Sequence, residues 1–184
     1  MRIVPRIILV FCLCMVAAGA LFAAGGKTPA ASAAPASGRE RLATFLGQWE
    51  STGTFQDTPF SKAGSVSSKF TCGWSALNEY LICDMSISLP SSQLTVYSFN
   101  SESSSYAYCS MNNRDPQAHC GKLLIEGDTW TYDGGGMEDE QGNKVSFRTM
   151  NVFDKPGHYT FRVEYSDDGK QWTLMMNGEG HRTK

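Results

Sequence analysis

Six cysteines and three histidines are the residues of this 184-residue chain best equipped for chemistry. Cys72 and Cys83 stand eleven positions apart, and Cys109 and Cys120 repeat that spacing. A thiol can attack, hold a metal or oxidise to a disulfide, so compartment and geometry must decide among these. His119, His158 and His181 form neither H-x-H nor H-E-x-x-H, so no local zinc site exists and no metal is expected. His119 beside Cys120 has the composition of a nucleophile pair, but neighbouring strand residues point to opposite faces. It is not a dyad. Each histidine reads instead as a surface strand or tail residue.

The remaining chemical candidates are weaker. No serine lies in a G-x-S-x-G elbow, and the serines of 101–105 read as a loop. Gly134-Gly135-Gly136 has the composition of a phosphate cradle, yet no helix follows it and Glu138, Asp139 and Glu140 would repel an anion. It reads as a mobile hairpin loop. The acidic run lacks the D-x-D-x-D-G order of a calcium loop. No catalytic motif emerges, so an enzyme is not expected, and no cofactor is expected either.

Compartment follows from the start of the chain. Arg2 and Arg6 precede an uncharged apolar run, 7–24, with small residues at Ala20, Ala23 and Ala24. That is the pattern of a secretory signal, 1–24, with export to the periplasm or medium. The alternative is an uncleaved anchor, the one expected membrane contact, because the run approaches the roughly 20 residues that span a bilayer. Cys12 and Cys14 belong to this segment, and no small-residue lipobox precedes either. An Ala-, Ser- and Pro-rich stretch, 25–40, reads as a flexible linker, and 41–184 is the size of one domain. Of 16 basic side chains, Arg2 and Arg6 fall in the leader, leaving 14 against 18 acidic. No basic stripe suits nucleic acid, which is set aside. Outside the cytosol the four remaining cysteines become disulfide candidates.

Strand pairing selects the connectivity. Strands at 65–74 and 80–89, joined by a turn around Leu77-Asn78, put Cys72 opposite Cys83, Trp74 opposite Leu81 and Phe70 opposite Met85. All six then share one face, and a one-residue slip would destroy the agreement. A second hairpin around Arg114-Asp115-Pro116 puts Cys109 opposite Cys120. There Tyr106, Tyr108 and Ser110 share one face while Ala107, Cys109 and Met111 share the other, and the buried side is open. Each bridge would stabilise by about 2–3 kcal/mol in the chain-entropy model.

Alternation continues along the chain. Further strands are expected at 48–55, 94–99, 106–111, 117–126, 129–132, 145–152, 159–165 and 171–177, with Gly, Pro and Asn punctuation between them. Residues 39–45 carry Leu42 and Phe45 at helical spacing. The fold expected is all-β: an antiparallel meander of about ten strands closing as a barrel behind a short N-terminal helix.

Phe45-Leu46-Gly47-Gln48-Trp49 resembles the opening of lipocalin-type barrels, which implies that Trp49 plugs the closed end. Cys72-Gly73-Trp74 followed by Tyr80-Leu81-Ile82-Cys83 resembles the bacterial domain-of-unknown-function family 1579. So do Gly127-Asp128-Thr129-Trp130-Thr131, the run from Ser166 through Trp172 to Thr173, and the ending Gly178-Glu179-Gly180-His181-Arg182-Thr183-Lys184. The likeness covers about 42–184 and implies an exported barrel without implying an activity. Asn78-Glu79 departs from the Gly-Gly expected at the first turn.

Four tryptophans, Trp49, Trp74, Trp130 and Trp172, sit on four expected strands, either as core and plug or as the wall of a cavity. Barrels of this size have room for one small ligand. Tyr97, Tyr108, Phe147 and Phe161 are candidates to line it with Trp49, Trp74 and Trp130, and Arg148 is a candidate anchor for a carboxylate. Arg162 alternates with Tyr159, Phe161, Val163 and Tyr165 and reads as solvent-facing beside Glu164. The leading expectation is a barrel that binds a small apolar or amphipathic ligand. The alternatives are a filled-core interaction module of the envelope, and a haem-binding barrel or enzyme assembled from scattered side chains.

Overall fold

The computed structural model describes residues 38–88, 91–115, 117–138, 142 and 144–184. The expected leader, Cys12, Cys14 and most of the expected linker lie outside these residues. A 3-10 helix (Gly38–Phe45) precedes ten strands. They are β1 (Gly47–Phe55), β2 (Gly64–Trp74), β3 (Leu81–Ile87), β4 (Ser91–Asn100) and β5 (Ser105–Asn112). The second half comprises β6 (His119–Glu126), β7 (Thr129–Glu138), β8 (Lys144–Lys155), β9 (His158–Ser166) and β10 (Thr173–Arg182). Each strand pairs antiparallel with its neighbours in the chain, and β10 returns to β1 to close a barrel. The expected meander and its closure are both present. A closed sheet leaves no unpaired edge to recruit another chain.

The first hairpin has the expected register: Cys72 faces Cys83, Phe70 faces Met85 and Trp74 faces Leu81. The second puts Cys109 opposite Cys120. Both pairs are disulfides, with Cα atoms 4.1 Å and 4.0 Å apart. The two bridges occupy opposite faces of the wall. Cys72 and Cys83 are buried in the core, whereas Cys109 is half-buried and Cys120 exposed. Tyr106 and Tyr108 take the inner face of β5 and pack against the core, which turns Cys109 outward. That settles the face the sequence left open.

Several expectations need correction. The linker does not reach residue 40, because Gly38 already starts the helix. Gly134, Gly135 and Gly136 are not a loop but part of β7, which runs on to Glu138 through a register shift between Asp133 and Gly136. Gly135 has a φ of 71°, a left-handed conformation that costs glycine little, and its amide donates to Asp133 Oδ1 at 3.1 Å. Strand β10 extends past residue 177 to Arg182, so His181 is paired rather than in a tail. Trp172 precedes β10 and is not on a strand. At the first turn Asn78 adopts a φ of 56°. Asparagine tolerates this left-handed region, and so can replace the expected glycine.

One end of the barrel is filled by aromatic side chains. Phe45, delivered by the helix, has ring centroids of Trp130 and Phe153 at 5.1 Å, Tyr159 at 5.7 Å and Trp49 at 5.8 Å. Leu42 and Trp130 are fully buried beside it. Trp49 Nε1 donates to the Phe45 carbonyl at 2.8 Å, so helix and first strand are tied across the intervening residues. Edge-to-face aromatic packing of this kind adds about 0.5–1.5 kcal/mol per pair beyond area burial. Thermodynamically, this end is the core.

Candidate functional site: an internal cavity

Above the plug the interior is not filled. A cavity of about 540 Å³ reaches from Phe45 at its floor to Arg114 and His119 at the opposite rim. Its size lies within the range of small-molecule sites. Alternate residues of the strands supply the wall, as the pleat requires. Phe70, Met85, Phe161 and Val163 provide apolar surface, while Thr95, Ser110 and Asn151 provide polar atoms.

The polar groups are organised in layers. Near the floor, Ser51 and Ser68 hydroxyls share a hydrogen bond of 2.7 Å. Around the middle, four tyrosines, Tyr97, Tyr108, Tyr132 and Tyr159, border the space. Asn151 Nδ2 donates to the Tyr132 hydroxyl at 3.4 Å, and the Tyr108 hydroxyl donates to the Asp133 carbonyl at 2.8 Å. Burial pushes the Tyr97 phenol up to about 12, and it lifts Tyr132 and Tyr159 well above the ordinary tyrosine range. These phenols are therefore neutral hydrogen-bonding groups. The Tyr159 ring lies flat against β10 because Gly180 stands directly opposite it; a β-carbon there would collide with the ring.

The rim is different. Among the described lining residues, the basic side chains are Arg114 and His119, and none is a carboxylate. Both belong to the β5–β6 hairpin. Asn112 Oδ1 accepts the backbone amides of Arg114 and Asp115 at 2.9 Å and 2.8 Å, fixing the turn. His119 Nε2 lies 2.8 Å from Asp115 Oδ2. That contact, and the Gln117 amide on Asp115, hold the Asp115 carboxyl below the usual carboxylate range.

Of the residues singled out in the sequence, Tyr97, Tyr108 and Phe161 border the cavity. The others lie elsewhere. Trp49 and Trp130 are buried in the plug, and Trp74 packs against the same core with the Arg39 guanidinium 5.9 Å from its ring. Phe147 packs edge-on against Phe60 of the β1–β2 loop, ring centroids 5.3 Å apart. Arg148 is not an internal anchor. It shares its strand with Val145, Phe147 and Phe153 in the opposite phase, so it points outward. There its Nε donates to Glu164 Oε2 at 2.6 Å, and its guanidinium lies 4.0 Å from the Trp172 ring. Arg162 completes the outer cluster, 3.2 Å from Glu164 Oε1, as its alternation indicated.

His119 is an exposed strand residue, as expected, and it also borders the cavity rim. His158 touches Asp154 and Glu179, both outward-facing, and among the described residues no group of three or more His, Cys, Asp or Glu side chains is placed to hold a metal ion. Sequence reasoning missed Ser51, Thr95, Tyr132, Asn151 and Tyr159 as lining residues. Their signal was phase: each sits at an even spacing from an inward aromatic or Ser/Cys position on its own strand.

No protein-family model and no curated protein sequence matches the chain. Solved structures do match its fold. Rv2717c from M. tuberculosis superposes with a TM-score of 0.56 at 11% sequence identity, over 79% of this chain and 96% of that one. A protein of unknown function from the DUF3598 family of Nostoc punctiforme gives a TM-score of 0.53 at 10% identity. That match covers 77% of this chain and 49% of the other, so the barrel corresponds to about half of the Nostoc protein. Likeness at this level of identity establishes the fold alone.

Proposed function

We propose that this barrel is an exported binding protein that takes one small, largely apolar ligand into its interior and performs no reaction on it. The observation that carries the reading is the cavity of about 540 Å³ between an aromatic plug and an open rim. A module built only for its outer surface would gain stability by filling such a space with packed apolar side chains. Neutral phenols and hydroxyls on an otherwise apolar wall suit a ligand with a few hydrogen-bonding groups. Export and kinship with the domain-of-unknown-function family 1579 belong to the same proposal. The two disulfides support export, because such bridges persist in oxidising compartments.

The test is titration of the purified domain with N-phenylnaphthylamine, a neutral dye that fluoresces in apolar surroundings. Saturable fluorescence is expected. Ser110→Trp, which directs a bulky ring into the cavity from β5, should abolish it while leaving the circular dichroism spectrum unchanged. Dye uptake that persists in a folded Ser110→Trp variant would refute an internal site.

A further inference from the structure

We infer that Arg114 is an anion-binding group at the cavity rim, and that the ligand is therefore an amphipathic acid. Its apolar body would lie between Phe70 and Phe161, with its carboxylate, sulfonate or phosphate beside the β5–β6 hairpin. The inference rests on the ligand-binding reading above and narrows it to one chemical class.

Three observations carry it. The first is charge distribution: Arg114 borders the cavity, and among the described lining residues there is no carboxylate to neutralise it. The second is pairing. Arg114 has no ion-pair partner among the described residues, although Asp115 is its neighbour in sequence. The Asp115 carboxylate is engaged by His119 at 2.8 Å and by the Gln117 amide at 3.1 Å. The third is preorganisation. The Asn112 side-chain oxygen fixes the turn by accepting two of its backbone amides, and the Cys109–Cys120 disulfide staples the two strands that carry it. A guanidinium on a braced turn loses less freedom when it binds than one on a free loop. The deeper wall has no competing charge, because its buried tyrosines remain neutral, so an anionic group is favoured only at the rim.

Two dyes that share one aromatic skeleton separate the claims. Anilinonaphthalene sulfonate carries an anion and N-phenylnaphthylamine does not. The wild-type barrel should bind the sulfonate about tenfold more tightly, the worth of one charge-assisted hydrogen bond. Arg114→Gln should erase that preference, weakening the sulfonate about tenfold more than the neutral dye, and Arg114→Lys should restore most of it. Ser110→Trp should abolish binding of both, locating them in the cavity. Equal affinities in the wild type, or a preference that survives Arg114→Gln, would overturn the anion site while leaving an apolar cavity intact. Failure of both dyes to bind would remove the cavity reading itself, and the anion site with it.

Discussion

Arg182 lies over Trp49, its guanidinium carbon 5.0 Å from the ring centroid, and its Nη2 donates to the Thr44 carbonyl at 2.6 Å. The two residues are directly opposed in the β1–β10 register. One side chain thereby joins the last strand, the first strand and the helix. Arg182→Ala should lower unfolding free energy by about 1–2 kcal/mol, combining a cation–π contact with a hydrogen bond. Urea denaturation measures it. Arg182→Lys should recover only part of the loss, because an ammonium has no flat face to stack and cannot span both partners.

The outer and inner disulfides should differ in how they yield to a reductant. Thiol exchange requires an attacking thiolate to reach a sulfur. Cys120 is exposed, whereas Cys72 and Cys83 are 3% and 5% exposed. Under native conditions, dithiothreitol should open Cys109–Cys120 first, and Cys72–Cys83 only at denaturant concentrations that unfold the barrel. Alkylation and peptide mass mapping at intervals would reveal the order.

Glu164 is the most consequential carboxylate on the outer wall. It is buried against Arg148 and Arg162. Glu164→Ala leaves both guanidinium groups without this counter-ion and should cost about 1–2 kcal/mol, because the guanidinium groups left behind are partly exposed to solvent. Arg148→Gln should cost less, since Arg162 still serves Glu164. Because Arg148 points outward, that variant should bind both dyes as the wild type does. A change in dye affinity would place Arg148 inside after all.

Alkaline pH should destabilise the barrel through its tyrosines. A phenol whose folded pKa lies above its unfolded value binds its proton more tightly when folded. Its stabilising contribution is complete below the unfolded value and falls as pH rises through the folded one. For Tyr97 that window runs from the ordinary 10.0 to about 12. Tyr132 and Tyr159 extend it upward. Phenolate absorbance from the buried three should rise only together with loss of the circular dichroism signal. Their ionisation with the fold intact would contradict the burial.

The fold was legible in this sequence because each strand alternates and because one register aligns two cysteines, two aromatics and two aliphatics on a shared face. Arg148 was equally legible by phase, since Val145, Phe147 and Phe153 mark the inward positions of β8. Reading it as an internal anchor gave its charge precedence over its position. The second hairpin was ambiguous for a different reason: Ala107 and Met111 make the outer face of β5 as apolar as its inner face. What alternation does not encode is height along the axis. It showed that Trp49, Trp130 and Tyr97 face inward, but not that the tryptophans settle in the plug while Tyr97 borders open space. That depends on how strand pairing staggers around the whole ring. Gly134-Gly135-Gly136 looked like a loop because glycine is depleted in strands, and a bulge is the circumstance in which that rule fails.

The seam between β1 and β10 has a consequence for assembly. Each of the other pairings joins neighbours in the chain and can form as soon as its turn is made, whereas this one must wait for almost the entire domain to be present. Until then, two strand edges stand open and the aromatic plug lacks the guanidinium that covers it. Of all the strand pairings this one has the largest sequence separation, and so the greatest loop-closure cost to meet before its contacts form. A chain missing β10 would be an open, sticky sheet rather than a shortened barrel.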